Sequence, residues 1–242
     1  MSGEQLASRI LAEVSEVPAT NIRKNLIGRE DFEKYAKASM ELVQLPLYID
    51  DTAGLSIADI TLRCNRIHRK VGGLGLLVVD YIQLIQGLSK NMNRNYEIAE
   101  ITGGLKNLAK ELNIPVIGVS QLSRSIESRE DRRPQMSDLR DSGSIEQDAD
   151  LVMFVYREEY YLKRSKPPEE EEKELASWQA KMQKHSNTAD IIIDKNRHGP
   201  IGTIKTSFQG RLTKFGNLAE SSQLSGEHEI QTEEPFFPSS AL

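Results

Sequence analysis

The apolar run Leu74–Val79, closed by Asp80, constrains this chain more than any other feature. A short segment with no polar alternation suits a strand covered on both faces, the pattern of a parallel sheet. A second such run, Val116–Val119, ends in Ser120–Gln121, and residues 95–112 between them carry a helical pattern that stops at Asn113. Strand, helix and strand in that order predict an α/β fold with a mostly parallel sheet. Further strands are expected at Leu151–Tyr156 and Ile191–Asp194. Gly202–Phe208 and Leu212–Phe215 read as a closing hairpin, which predicts an antiparallel edge.

Upstream, residues 3–15 predict a helix with Leu6, Ile10, Leu11 and Val14 on one stripe. Residues 29–44 predict another, with Phe32, Tyr35, Ala36, Met40 and Val43 turned inward. Leu47–Ile49 reads as a short strand ending in Asp50–Asp51. Ser56 caps a helix that runs to Val71 and is stopped by Gly72 and Gly73. Residues 121–147 read as loops. One partial domain is expected over 1–217, with a surface insertion at 162–187 made of a Pro-Pro turn and a helix with an acidic start. Residues 218–242 read as a disordered acidic tail, in which Phe236–Phe237 is a weak partner motif.

Composition narrows the classes. A single cysteine excludes an intrachain disulfide, and Cys64 lies in a helical pattern, where a buried thiol is expected. No run reaches the ~18 apolar residues of a membrane span, and the first residues lack the apolar centre of a signal peptide. A cytoplasmic, membrane-free protein is the expectation. A net charge of −5 shows no broad basic face and weighs mildly against nucleic-acid binding.

Four stretches carry chemistry. In GLLVVDYIQL, residues 75–84, Asp80 ends a buried strand, where α/β folds bind ligands. In a nucleotide-hydrolysing fold that position holds Mg²⁺; the plainer alternative is a turn-capping carboxylate. In IPVIGVSQLSRS, residues 114–125, Gln121 ends the neighbouring strand, where an amide can bond phosphate or water without adding charge. It can equally satisfy backbone groups. In DLRDSGSIEQDADLVMFVYR, residues 138–157, Gly143 is flanked by two serines; with Arg140, exposed N–H groups there can hold a phosphate backbone. An ordinary loop with solvated charge at Glu146 to Asp150 is the alternative. In IIIDKNRHGPIGTIKTSF, residues 191–208, Lys195 and Arg197 share one side of an extended chain and can reach a neighbour's phosphate, or are surface charge beside a turn.

Taken in order and spacing, DYIQL, SQLSRSIESR, RRPQMSDLRDSGSIEQDADLVMFVYR and DKNRHGPIGTIKTSFQGRLTKF closely resemble the DnaB family of hexameric replicative helicases. The resemblance covers residues 1–216 apart from the acidic insertion, and LRDSGSIEQDADL is its most specific part. It implies a RecA-like P-loop NTPase sheet, a homohexameric ring, ATP and Mg²⁺ between subunits, and single-stranded DNA through the centre. Primase and a helicase loader are implied partners. By position it implies Asp80 as the Mg²⁺ carboxylate and Gln121 as the phosphate sensor. Lys195 and Arg197 match the pair that reaches the next subunit's ATP, and Arg140, Asp141 and Gly143 the loop on DNA. Arg94 lies in a second candidate pore loop.

One departure is plain: GxxxxGK followed by Ser or Thr occurs nowhere in the 242 residues. An N-terminally truncated motor is therefore expected, poor at hydrolysing ATP alone because the loop that cradles the triphosphate is missing. Two further readings stay open: another RecA-like ATPase, such as a recombinase, and a non-catalytic remnant or subunit that binds single-stranded DNA or an intact helicase ring.

Overall fold

The structure, a computed structural model, describes residues 2–24, 26–87, 93–139 and 143–218. The tail beyond Leu218, and Arg140 and Asp141 of the third motif, lie outside the described residues.

Helix α1 (Gly3–Ser15) begins at Ser2, whose hydroxyl accepts the Gln5 N–H at 3.3 Å while Gln5 Oε1 accepts the Ser2 N–H at 3.2 Å. This reciprocal cap satisfies two orphan donors of the first turn. After α2 (Ala19–Arg23), α3 (Arg29–Gln44) packs on α1 with Ala38 buried. The inward face expected for α3 is only partly realised. Phe32, Met40 and Val43 are 62%, 65% and 83% exposed, because α1 covers a narrow stripe rather than the whole apolar arc. Leu47–Ile49 is not a strand; it is an irregular, half-exposed segment, with no strand beside it among the described residues to accept a ladder. Asp50 ties this segment to α4 (Ile57–Val71) by an ion pair with Arg63, also bonded to Thr52 at 3.0 Å.

The Arg63 guanidinium and the Thr52 groups lower the Asp50 carboxyl to about 2. A depressed folded-state pKa gives stability that is complete above the unfolded value and is lost as pH falls through the folded one. The pair is partly exposed, so its contribution is about 0.5–1 kcal/mol. Asp50→Asn is expected to remove that amount at neutral pH and only a small part of it at pH 2, where the group is half protonated in the folded chain. Urea midpoints of the two chains at both pH values check it.

The main core lies between α4, α5 (Arg94–Leu112) and β1 (Leu77–Val79). Ile57, Ile60 and Cys64 from α4 meet Ile98, Ile101, Leu105 and Leu108 from α5. Cys64 is buried, as expected, and burial pushes its thiol pKa up, the signature of packing rather than reactivity. The helices cross at Gly104, where a Cβ would stand 2.4 Å from Ile57 Cγ1. Gly104→Val is therefore expected to destabilise by about 1–3 kcal/mol through overpacking, read as a lower melting temperature, with Gly103→Ala, which meets open space, as the control.

Strands β1 and β2 (Val116–Gly118) pair in parallel, Leu77 opposite Val116, with α5 as the crossover. Burial of these strands on both faces does not hold among the described residues. Val78 and Ile117 are 55% and 48% exposed, because α4 and α5 cover one face only. The loop region 121–147 contains two 3₁₀ turns, Arg124–Ser128 and Met136–Asp138, and helix α6 (Gly143–Asp148). Strands β3 (Leu151–Tyr156), β4 (Thr188–Asn196), β5 (Gly202–Gln209) and β6 (Lys214–Gly216) form an antiparallel sheet in that order. Parallel and antiparallel pairing are thus both present, and the antiparallel part takes in Leu151–Tyr156 as well as the expected hairpin. The 162–187 stretch holds the end of α7 (Glu158–Arg164) and α8 (Glu172–His185). No α8 residue is buried, and Trp178 Nε1 donates to the Leu162 carbonyl at 2.8 Å.

Candidate functional site

The ends of β1 and β2 meet at one place. Asp80 follows β1 and is exposed; its peptide with Tyr81 is cis. The ladder continues past the strands: Val119 N–H donates to the Val79 carbonyl at 2.8 Å, and Ile82 N–H to the Val119 carbonyl at 2.9 Å. Gln121 lies two residues beyond Val119 and is exposed. Gln83 locks the two ends together. Its Nε2 donates to Ser120 Oγ at 2.9 Å, and its Oε1 accepts the Gln121 N–H at 3.2 Å. An amide serves here because it donates and accepts at once. The result is an exposed carboxylate and an exposed amide at the C-terminal end of parallel strands whose backbones are tied together, where ligands bind in such sheets.

Arg94 is the first residue of α5. Its guanidinium pairs with Glu97 and donates to the Gln83 carbonyl at 2.7 Å, and Glu97 also accepts the Gly87 N–H at 2.8 Å. These bonds and the Gly87 backbone lower the Glu97 carboxyl pKa. Arg94 thus braces the strand-end turn from behind.

The second centre lies at α6. Gly143 opens this helix and is exposed. Asp138, just upstream, is buried and held by Arg129 at 2.7 Å and by the Gln135 N–H at 2.9 Å. A buried carboxylate paired and hydrogen-bonded in this way anchors its segment, since an unpaired one would not be tolerated. The helix ends against the tip of β4. Lys195 Nζ donates to the Glu146 carbonyl, and Arg197 donates to the Gln147 carbonyl and to Asp150 Oδ1, the latter at 3.2 Å. Lys195 and Arg197 are thus brought to one place, at the C-terminal end of the helix that Gly143 of the third motif opens. Among the described residues, no hydrogen bond or ion pair joins this centre to Asp80 and Gln121.

Asp80 suits one position in a Mg²⁺ shell: it is a hard oxygen donor, exposed at a strand end. Mg²⁺ is commonly held by one or two carboxylates with phosphate oxygens completing the shell. Among the described residues no group of three His, Cys, Asp or Glu side chains gathers as an all-protein metal site. No described helix is long and apolar enough to cross a membrane.

Gln83 and Asp150 were not singled out from sequence. Gln83 is legible as an unexplained amide within DYIQLI; Asp150 looks like solvated charge until the β3–β4 register sets it beside Arg197.

Residues 1–217 match the family model described as DnaB-like helicase C terminal domain. The chain is 51% identical over 218 residues to the replicative DNA helicase DnaB of Rickettsia conorii, covering 90% of this chain and 44% of that protein. Against the replicative DNA helicase DnaB of Geobacillus stearothermophilus it is 43% identical over 219 residues, with the same shares. Among solved structures, a DnaB-like replicative helicase described with its interactions with primase superposes with a TM-score of 0.78 at 33% identity, over 90% of this chain and 49% of that one. The chain spans less than half the length of these curated relatives. A family match over nearly all the described residues, carried by an α/β structure of the same architecture, settles the affiliation: the chain belongs to the DnaB-like helicase C-terminal domain family.

Proposed function

We propose that this chain supplies the phosphate-sensing and DNA-gripping part of an ATP-driven replicative helicase motor, working as a homohexameric ring on single-stranded DNA. The observation that carries the reading is that Asp80 and Gln121 follow neighbouring parallel strands, where Gln83, just past β1, bonds Ser120 and the Gln121 backbone. In this reading Asp80 orients Mg²⁺–ATP, which supplies the phosphoryl group when bound. Gln121 senses the γ-phosphate. Lys195 and Arg197 neutralise charge at the site of the next subunit. Among the described residues no hydrogen bond or ion pair joins them to Asp80, which is consistent with such an arrangement in trans. Arg140, Asp141 and Gly143 grip the DNA backbone, and Arg94, in the second candidate pore loop, adds a DNA contact beside the turn it braces. Primase and a loader are proposed partners by family position.

Backbone gripping predicts binding that ignores base sequence and weakens with salt. Fluorescence anisotropy is expected to show this chain preferring a mixed-sequence single strand to its duplex, with log affinity falling linearly in log salt. Equal affinity for both, or no salt dependence, contradicts the proposal. A second reading is a non-catalytic subunit that binds single-stranded DNA or an intact ring. DNA binding without ATP turnover fits it.

A further inference from the structure

Lys195 and Arg197, the two cations assigned above to a neighbour's phosphate, do not project freely. The register of β3 against β4 shifts between Val152 and Met153: Val152 faces Lys195, and Met153 faces Ile193. Asp194 is the extra residue, and it accepts the Met136 N–H at 2.9 Å. Such a bulge re-aims the side chains beyond it, and here both cations turn toward the end of α6. Asp150 organises the contact. Its carbonyl accepts the Arg197 N–H at 2.9 Å. One carboxylate oxygen pairs with Arg197 at 3.2 Å, and the other with Lys106 of α5. Beside it, Thr102 of α5 donates to Asp148 at 2.5 Å. The carbonyls of Glu146 and Gln147, which lie in the last turn of α6 and have no later helical partner, take Lys195 and Arg197.

We infer that Asp150 is a positioning residue: with the C-terminal carbonyls of α6 it holds Arg197 and Lys195 in cis, so that a shift of α6 on DNA binding releases them toward a neighbouring phosphate. This rests on the proposed function above and adds to it a route from the DNA-contacting stretch to the trans cations. The hold suits a switch. The three side chains of the pair network are each a quarter to a half exposed, and ion pairs of that exposure are weak enough to exchange.

The test uses the whole chain with ¹⁵N-labelled arginine, the Arg197 guanidinium signal being assigned by its loss in Arg197→Lys. Asp150→Asn is expected to raise the water-exchange rate of that guanidinium about threefold, the scale of a partly exposed ion pair. Asp150→Glu is expected to restore most of the protection, which a merely structural role would not do. Lys106→Met, which frees the second carboxylate oxygen, is the independent variant, with a smaller change of the same sign. An oligothymidylate of about thirty nucleotides, its binding followed by anisotropy on the same sample, is expected to raise wild-type exchange to the Asp150→Asn level. Binding without a change at Arg197, or an Asp150→Asn chain with wild-type exchange, overturns the inference and leaves the proposed function standing. No binding of the oligonucleotide overturns both.

Discussion

The purified chain, given ATP, Mg²⁺ and single-stranded DNA, is expected to release phosphate no faster than buffer. In the proposed motor the residues it supplies would cover three tasks: Asp80 for the metal, Gln121 for sensing, and Lys195 with Arg197 for a neighbour's charge. None of them replaces a Gly-rich loop, whose successive N–H groups and lysine hold the phosphates in place. In phosphoryl transfer nearly all the catalysis is positioning and electrostatics, so losing the cradle removes most of it. A phosphate-release assay decides the point. DNA-stimulated turnover that disappears in Arg197→Ala, by the ~10³-fold or more that a trans arginine contributes, would show a complete site and contradict this account.

The second large effect is on stability. Ile101 is fully buried at the centre of the α4–α5 core, touching neither solvent nor the exposed sheet face. Ile101→Ala removes buried methylenes and leaves a cavity that two crossing helices, held close at Gly104, cannot easily collapse. The expected cost is about 3–4 kcal/mol, a large share of the 5–15 kcal/mol typical of a domain. Leu62 on the outer face of α4 is 71% exposed, and Leu62→Ala is expected to cost less than about 0.5 kcal/mol. Urea denaturation measures both, and comparable midpoints for the two variants would place the core elsewhere.

How much of this was legible beforehand differs between elements for physical reasons. The helices α1, α4 and α5 were readable to within a residue or so, because the apolar stripe of α1, the cap at Ser56 and the stops at Gly72 and Asn113 are local signals. The strand ends at Asp80 and Gln121 were readable because an apolar run closed by one polar group is a local signal too. Leu47–Ile49 misled because a short apolar run becomes a strand only beside a partner, and none flanks it among the described residues. The α3 face misled because an apolar stripe shows what a helix can bury, not what is there to cover it; Phe32 and Val43 remain exposed. The roles of Gln83 and Asp150 depend on contacts 37 and 47 residues away along the chain. Pairings of that range follow from topology, which periodicity does not encode. That Lys195 and Arg197 share a side was readable; that a bulge at Asp194 turns both onto α6 was not.

In the proposed motor the stretch around Gly143 and α6 grips single-stranded DNA while the outer helices do not. Photocrosslinking a bromodeoxyuridine-substituted oligonucleotide to the chain, followed by mass-spectrometric mapping of the modified peptides, tests it most directly. Crosslinks concentrated between Asp138 and Asp148, and lost at high salt, are the predicted result. Crosslinks concentrated on α8 or on α3, with the α6 stretch unmodified, would contradict it.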